Sequence, residues 1–508
     1  MHSIKQILIT MVVIMTLNAN SGLLYKNAGE LAAAIRTGKV TSEKVVSAFI
    51  GQIEKHNSTF NAVVLLNREQ ALARAREADA ALARGHTWGP LHGVPVTVKD
   101  NYQTSHMVTT AGYEPLKNNQ PKNDANVVEL LENAGAIIIG KTNLSILAMD
   151  MQCSNQVFGQ TNNAWDTTRT SGGSSGGCVT ALATGMTPLS VGNDLGGSVR
   201  LPAAYSGVYG FKPTLGVIPF GGIQSDPEEL SYGIRTMAVA GPLARSVDDL
   251  ILALDVLAAP VKSNQMVIPI ERYKNTSPKI EDLRIAWTDG FGGVPVSAAI
   301  RAQMQAFADT LAAAGATVVK INPALDFHAI WKNWGTLLGH QGGYQRSNFT
   351  RWLGAQFASG VLKDVPMHQE IIRPISLEKY MQTRALQDAV ITRLEVFLDD
   401  FDVWLTPASA VQAFPHHQPS EYYGNFAVYN EPLQVDDQEL HYYMATQAYT
   451  TPFNFTDSPV LSMPIGMSNS GLPIGIQVVG KRFQDFRILA IGKVLSAYAK
   501  PMNYPLAQ

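Results

Sequence analysis

Three residues of this 508-residue chain have the types and settings of a nucleophilic site. Ser174 lies inside Gly172-Gly173-Ser174-Ser175-Gly176-Gly177, and Ser198 follows Gly196-Gly197, 24 positions further on. Glycines beside a serine let the backbone bend sharply or approach another group closely, where a Cβ would obstruct. Lys99 closes the apolar run Val94 to Val98, and lysine is rarely buried. A serine hydroxyl is a weak nucleophile until a base takes its proton. Histidine is the usual base, yet Ser171 to Leu201 contains none, and His92 sits in a Gly-flanked loop that turn structure explains better. A lysine kept neutral by burial can take the part. Taken singly, a glycine-rich turn is usually only a turn and a lysine ending a strand is usually exposed. The combination is what points to chemistry.

The set and its spacing resemble the amidase signature family of hydrolases. Similar blocks are Gly89-Pro90-Leu91-His92-Gly93-Val94-Pro95, Ala134-Gly135-Ala136-Ile137-Ile138-Ile139-Gly140-Lys141-Thr142-Asn143, Gly210-Phe211-Lys212-Pro213-Thr214 and Gly471-Leu472-Pro473-Ile474-Gly475-Ile476-Gln477. The resemblance spans about Leu31 to about Leu495 and is densest from Gly89 to Gly216. It implies an α/β fold with a large, central, mixed β-sheet flanked by helices on both faces. It also implies cleavage of a carboxylic amide C–N bond through an acyl-enzyme on Ser198, with Ser174 bridging to Lys99 as base and the Gly173-Ser174 peptide cis. The backbone N–H groups of Leu195, Gly196, Gly197 and Ser198 would form the oxyanion hole. Ser175, Asp194 and Arg200 would hold the loops around it. The chain departs from the common family wording at Asn193, where Thr is frequent, and at Cys178, where Ser or Glu is; neither is expected to touch the three central residues.

Two other readings stand beside the stand-alone hydrolase, which by resemblance acts on linear amides, with esters as a side activity. The family includes the amidotransferase subunit that feeds ammonia to mischarged transfer RNA in a cytoplasmic complex and carries the same three residues. A binding protein with a dead site is the third, disfavoured by the intact set. A small-molecule amide is the expected substrate, with no cofactor and no metal. The net charge of −2, with Lys and Arg scattered, leaves no basic footprint for nucleic acid. Oligomeric state is open.

Hydrophobic residues make up 46% and charged ones 16%, enough for a large core. Lys5, the apolar stretch Ile7 to Leu17 and the small residues Ala19 and Ser21 read as a signal peptide over residues 1–21, cleaved near Ser21. That run is too short to span a bilayer. Export to the periplasm or medium follows from it, and a cytoplasmic place follows if the segment is not a signal. Residues 22–508 then form one domain, with the core at about 89–216 and a variable, substrate-facing region at about 327–449.

Around the site the spacing predicts a helix capped by Asn27 and Glu30, a second from Thr41 or Ser42, a third from Arg68 to Arg84, and helices at Val127 to Asn133 and Val296 to Ala314. Strands are expected at Val94 to Val98, Ala136 to Ile139 and Thr317 to Ile321. Between Phe327 and Tyr449 the pattern is irregular, and Trp331, Trp334, Tyr344, Trp352, Tyr422, Tyr423 and Tyr429 read equally as a substrate wall or as surface packing. Cys153 and Cys178 read as small buried residues. His416-His417 lacks a third ligand at useful spacing and reads as loop surface.

Overall fold

The computed structural model describes residues 22–223, 236–262, 267–271, 278–343, 346–358, 365–423 and 426–507. The expected signal segment and Tyr344 lie outside the described residues, as does the side chain of Tyr423. An 11-stranded sheet runs through the molecule. Its strands are β1 (Val63–Leu66), β2 (Pro95–Lys99), β3 (Ile137–Thr142), β4 (Leu189–Asp194), β5 (Tyr209–Lys212), β6 (Val239–Ala244), β7 (Arg284–Trp287), β8 (Thr317–Lys320), β9 (Val403–Pro407), β10 (Val460–Met467) and β11 (Pro473–Val479). The spatial order is β1-β3-β2-β4-β6-β5-β10-β11-β9-β7-β8. Parallel pairings of β2 with β3 and β4, and of β7 with β8 and β9, combine with antiparallel ones elsewhere, so the sheet is mixed. Helices cover both faces, as the apolar, fully buried runs of β2 and β3 require; β2 has a parallel neighbour on either side, the setting in which a strand is buried on both faces.

The predicted helices form at Ala28–Arg36, Ser42–Phe60, Arg68–Ala83, Asn126–Asn133 and Ala298–Ala313. Glu30 Oε2 accepts the Asn27 N–H at 2.8 Å and Thr41 Oγ1 accepts that of Lys44 at 3.2 Å, so both starts are fixed by side-chain caps. One hydrophobic cluster reaches from Leu24 to Leu495.

The region read as irregular contains helices at Phe327–Gly342, Asn348–Ala358 and Leu377–Phe397. The last was hidden because its pattern is mixed: Leu377, Met381 and Val396 are exposed, while Thr383 and Gln387 are buried beside Val390, Ile391 and Leu394. Its aromatics divide. Trp331, Trp334 and Tyr429 are buried, whereas Trp352 and Tyr422 are exposed.

Candidate active site

Lys99 is the last residue of β2, in register with Thr142 on β3. Cys178, on the helix Gly176–Ala183, lies 3.0 Å from Thr142 Oγ1, so this helix covers the face toward which Lys99 points. Lys99 is fully buried; its Nζ is 2.6 Å from Ser174 Oγ and 2.8 Å from Asn193 Oδ1. Burial pulls its pKa down to about 8. The attractions that oppose this are weak: the Cys178 and Cys153 thiols are themselves pushed up by burial, Cys153 to about 12, so they face the lysine uncharged, and Asp194 is engaged by Arg200. Asp100, next in sequence, points to the opposite face and pairs with Lys141.

The Gly173-Ser174 peptide is cis. A Cβ on Gly173 would fall 2.7 Å from Asp150 O and from Gln152 N, so the segment beneath this peptide leaves no room for another residue. Ser145 N–H donates to Ser174 O at 3.4 Å, and Ser175 N–H to Ser198 O at 3.2 Å. The second bond ties the two serine loops together. Ser198, 6% exposed, lies near the end of the loop between β4 and the helix Arg200–Ser206.

Asp194, at the end of β4, organises that loop. Its Oδ1 accepts from Gly197 N–H at 2.9 Å and Arg200 Nη2 at 2.9 Å, and its Oδ2 from Val199 N–H at 3.1 Å and Arg200 Nε at 3.0 Å. Burial pushes the carboxyl up, but the Arg200 guanidinium and the Asn454 amide outweigh it and hold the group well below the usual carboxylate range. The N–H groups of Leu195, Gly196 and Ser198 have no hydrogen-bond partner among the described residues. Three donors on one loop next to a serine could receive a developing oxyanion.

The sequence model of the Amidase family matches residues 44–489. The chain belongs to the Amidase family. It is 31% identical to the glutamyl-tRNA(Gln) amidotransferase A-subunit of Aromatoleum aromaticum over 91% of this chain and 94% of that one. Among solved structures it superposes on an amidase with a TM-score of 0.75 at 27% identity, covering 94% of this chain and all of that one. A fatty acid amide hydrolase gives a TM-score of 0.78 at 25% identity over 94% and 86% of the two chains.

Within this Amidase-family chain several expectations need correction. Asn193 does touch the central residues, because β4 runs beside β2 and carries its carboxamide onto Lys99. The Gly197 N–H is spent on Asp194, which leaves it out of any oxyanion hole. Ser175 holds the loops through its backbone; its buried Oγ has no hydrogen-bond partner among the described residues. His416 and His417 are half-buried, with His416 Nε2 3.1 Å from Asn162 Oδ1 and the His417 backbone bonded to Gln152. Cys153 and Cys178 are buried and free.

Other functional groups come from far along the chain. Arg200 also donates to Thr450 O at 2.8 Å, Gln477 Oε1 at 2.7 Å and Asn454 Oδ1 at 2.6 Å, pinning the Ser198 loop to the helix Thr451–Phe455 with its cap Thr450 and to β11. Thr450 Oγ1 donates to Gly196 O at 2.6 Å and Trp334 Nε1 to Leu195 O at 3.1 Å, so the N–H groups of the same two peptides, those of Gly197 and Gly196, point the opposite way, Gly197 to Asp194. Gly197, at φ +119°, has no space for a side chain: a Cβ would meet Thr450 Oγ1 at 2.4 Å. Only Gln477 lay in a block that could have signalled it.

Proposed function

We propose that this chain hydrolyses a carboxylic amide to acid and amine, with Ser198 as nucleophile, Ser174 as proton relay and Lys99 as general base. The observation that carries the reading is the buried Lys99 amine 2.6 Å from Ser174 Oγ with no carboxylate bonded to it among the described residues. Lys99 in its neutral form takes the Ser174 proton while Ser174 takes that of Ser198. The Ser198 oxygen then adds to the carbonyl, and the N–H groups of Leu195, Gly196 and Ser198 stabilise the oxyanion. The proton returns by the same route to the departing nitrogen, leaving an acyl-Ser198 ester that water cleaves. Linear amides are the substrates of this reading, and esters a side activity, since an alkoxide leaves without needing that proton.

A second reading has its own support: the curated relatives over nine-tenths of the chain are named as the A-subunits of glutamyl-tRNA(Gln) amidotransferases. In it the same chemistry releases ammonia from an amide for a partner protein. One experiment separates the two. The purified chain, alone, is assayed with acetamides, anilides, amino-acid amides, fatty amides and glutamine. Turnover of simple amides supports the stand-alone hydrolase; inactivity on all but glutamine supports the amidotransferase reading. We further propose export with cleavage near Ser21, for which N-terminal sequencing of the native protein should begin near Gly22. An intact Met1 would overturn it.

A further inference from the structure

Among the described residues the Lys99 amine has two hydrogen-bond partners, and they differ in kind. Ser174 Oγ, at 2.6 Å, can donate or accept; Asn193 Oδ1, at 2.8 Å, can only accept. The Asn193 carboxamide is held in this orientation because its Nδ2 donates to Asn101 Oδ1 at 3.0 Å. Both asparagines are buried, so water does not compete for these bonds.

We propose that Asn193 is a positioning residue for the base: its neutral oxygen takes one N–H of Lys99 and so turns the amine's lone pair toward the Ser174 hydroxyl. The proposal rests on the reading of Lys99 as proton acceptor. A neutral amine has two N–H groups and one lone pair. Once an acceptor-only oxygen takes one N–H, one N–H and the lone pair remain, and the Ser174 hydroxyl, the close partner able to donate, is the one that can meet the lone pair. Choice of a carboxamide matters as much as its place. A carboxylate in the same position would hold the amine as ammonium, which has no lone pair to offer.

The other groups facing Lys99 do not supply such a charge. Cys153 and Cys178 are protonated thiols, Asp194 is saturated by Arg200, and the Tyr102 hydroxyl beside Asn193 donates to Gly192 O at 2.6 Å. Asp100 and Lys141 form their pair on the opposite face of the sheet.

The test uses the full chain and a fluorophosphonate probe, with labelling of Ser198 followed by intact mass and peptide mapping from about pH 6 to about pH 10.5. In the wild type the labelling rate should rise with pH around the Lys99 midpoint. Asn193→Asp should move that midpoint up by about 1–3 units. Asn193→Ala, which removes an acceptor from the ammonium, should move it down and lower the alkaline plateau by about tenfold or more. Asn193→Thr, with a neutral acceptor restored, should bring the midpoint back toward the wild-type value and lift the plateau above that of the alanine variant. A folded Asn193→Asp protein with an unmoved midpoint overturns the proposal. Where melting shows that variant unfolded, the alanine and threonine pair decides: an alanine midpoint that stays put, or no recovery with threonine, overturns it equally. Failure of the underlying reading has a different signature, namely wild-type labelling that is absent from Ser198 or unaffected by Lys99→Met.

Discussion

Lys99 and Lys141 stand on adjacent parallel strands, both fully buried, and their side chains leave the sheet in opposite directions. Lys141 has a counter-ion: its Nζ is 3.3 Å from Asp100 Oδ1 and donates to Tyr102 O at 2.7 Å and Thr109 Oγ1 at 2.9 Å. Asp100 in turn accepts from the Thr110 hydroxyl at 2.5 Å. Burial pulls this lysine down and pushes the carboxyl up, and their pairing opposes both shifts. Lys99 has only neutral bonded partners among the described residues, and what offsets the cost of its charge is weak. The same residue type at the same depth is thus paired with a carboxylate on one face and bonded only to neutral groups, among the described residues, on the other. What decides is the partner, not the burial.

Removing each lysine should break the comparison in opposite ways. Lys99→Met should lower amide turnover by roughly 10²–10⁴-fold or more, and ester turnover by less. Its effect on stability at neutral pH should be small, because two opposing contributions nearly cancel. Two hydrogen bonds are lost, at about 1–3 kcal/mol, while the burden of a buried ammonium, about 3 kcal/mol from a pKa near 8 against one near 10.4, disappears. Lys141→Met should cost about 3–5 kcal/mol in urea unfolding, since Asp100 is left as a buried charge without its partner. Its midpoint in the activity profile should not move. Equal stability losses for the two variants would contradict the distinction.

The pH dependence sharpens the same contrast. Activity should rise as Lys99 deprotonates, with a midpoint near 8, and the profile should lose this limb in Lys99→Met. The stability contribution has the same sign: a lysine whose folded pKa is depressed binds fewer protons folded than unfolded between about 8 and about 10.4, so stability gained from this group rises with pH across that window. Urea titrations of wild type and Lys99→Met across the window should diverge, with the wild type gaining. Parallel curves would mean that Lys99 titrates alike in both states.

Much of this arrangement was legible in the sequence where the determinants are local. The glycines around Ser174 and Ser198, the apolar run into Lys99, and Asp194 with Arg200 six residues later are short-range patterns whose physical reasons survive in the structure. The alternation of a strand also gave the direction of Asp100. Long-range partners were not legible. Thr450, Asn454 and Trp334 bind the Ser198 loop from well over a hundred residues away and carry no mark of that in their own neighbourhoods. Asn193 failed for another reason: it was in view, but which strand lies beside β2 is a matter of topology, and pattern along one strand does not reveal its neighbour. The helix Leu377–Phe397 was missed because its sides are mixed: Leu377, Met381 and Val396 are exposed while Thr383 and Gln387 are buried, which blurs the helical period.

Tyr102 offers the finest test, because it belongs to both lysines. Its carbonyl accepts the Lys141 Nζ, while its hydroxyl donates to Gly192 O beside Asn193 on the other side. Tyr102→Phe keeps the carbonyl and removes only the hydroxyl. The loss should be about 1 kcal/mol of stability, the ordinary worth of one hydrogen bond, and much less than that of Lys141→Met. Burial raises the phenol well above its usual pKa, so it is neutral throughout the working range and contributes no charge to Lys99. The acidic limb of the activity profile should therefore stay within a few tenths of a unit of the wild type, whatever happens to the plateau. A limb displaced as far as that expected for Asn193→Asp would show that Tyr102, and not the carboxamide, sets the titration of Lys99.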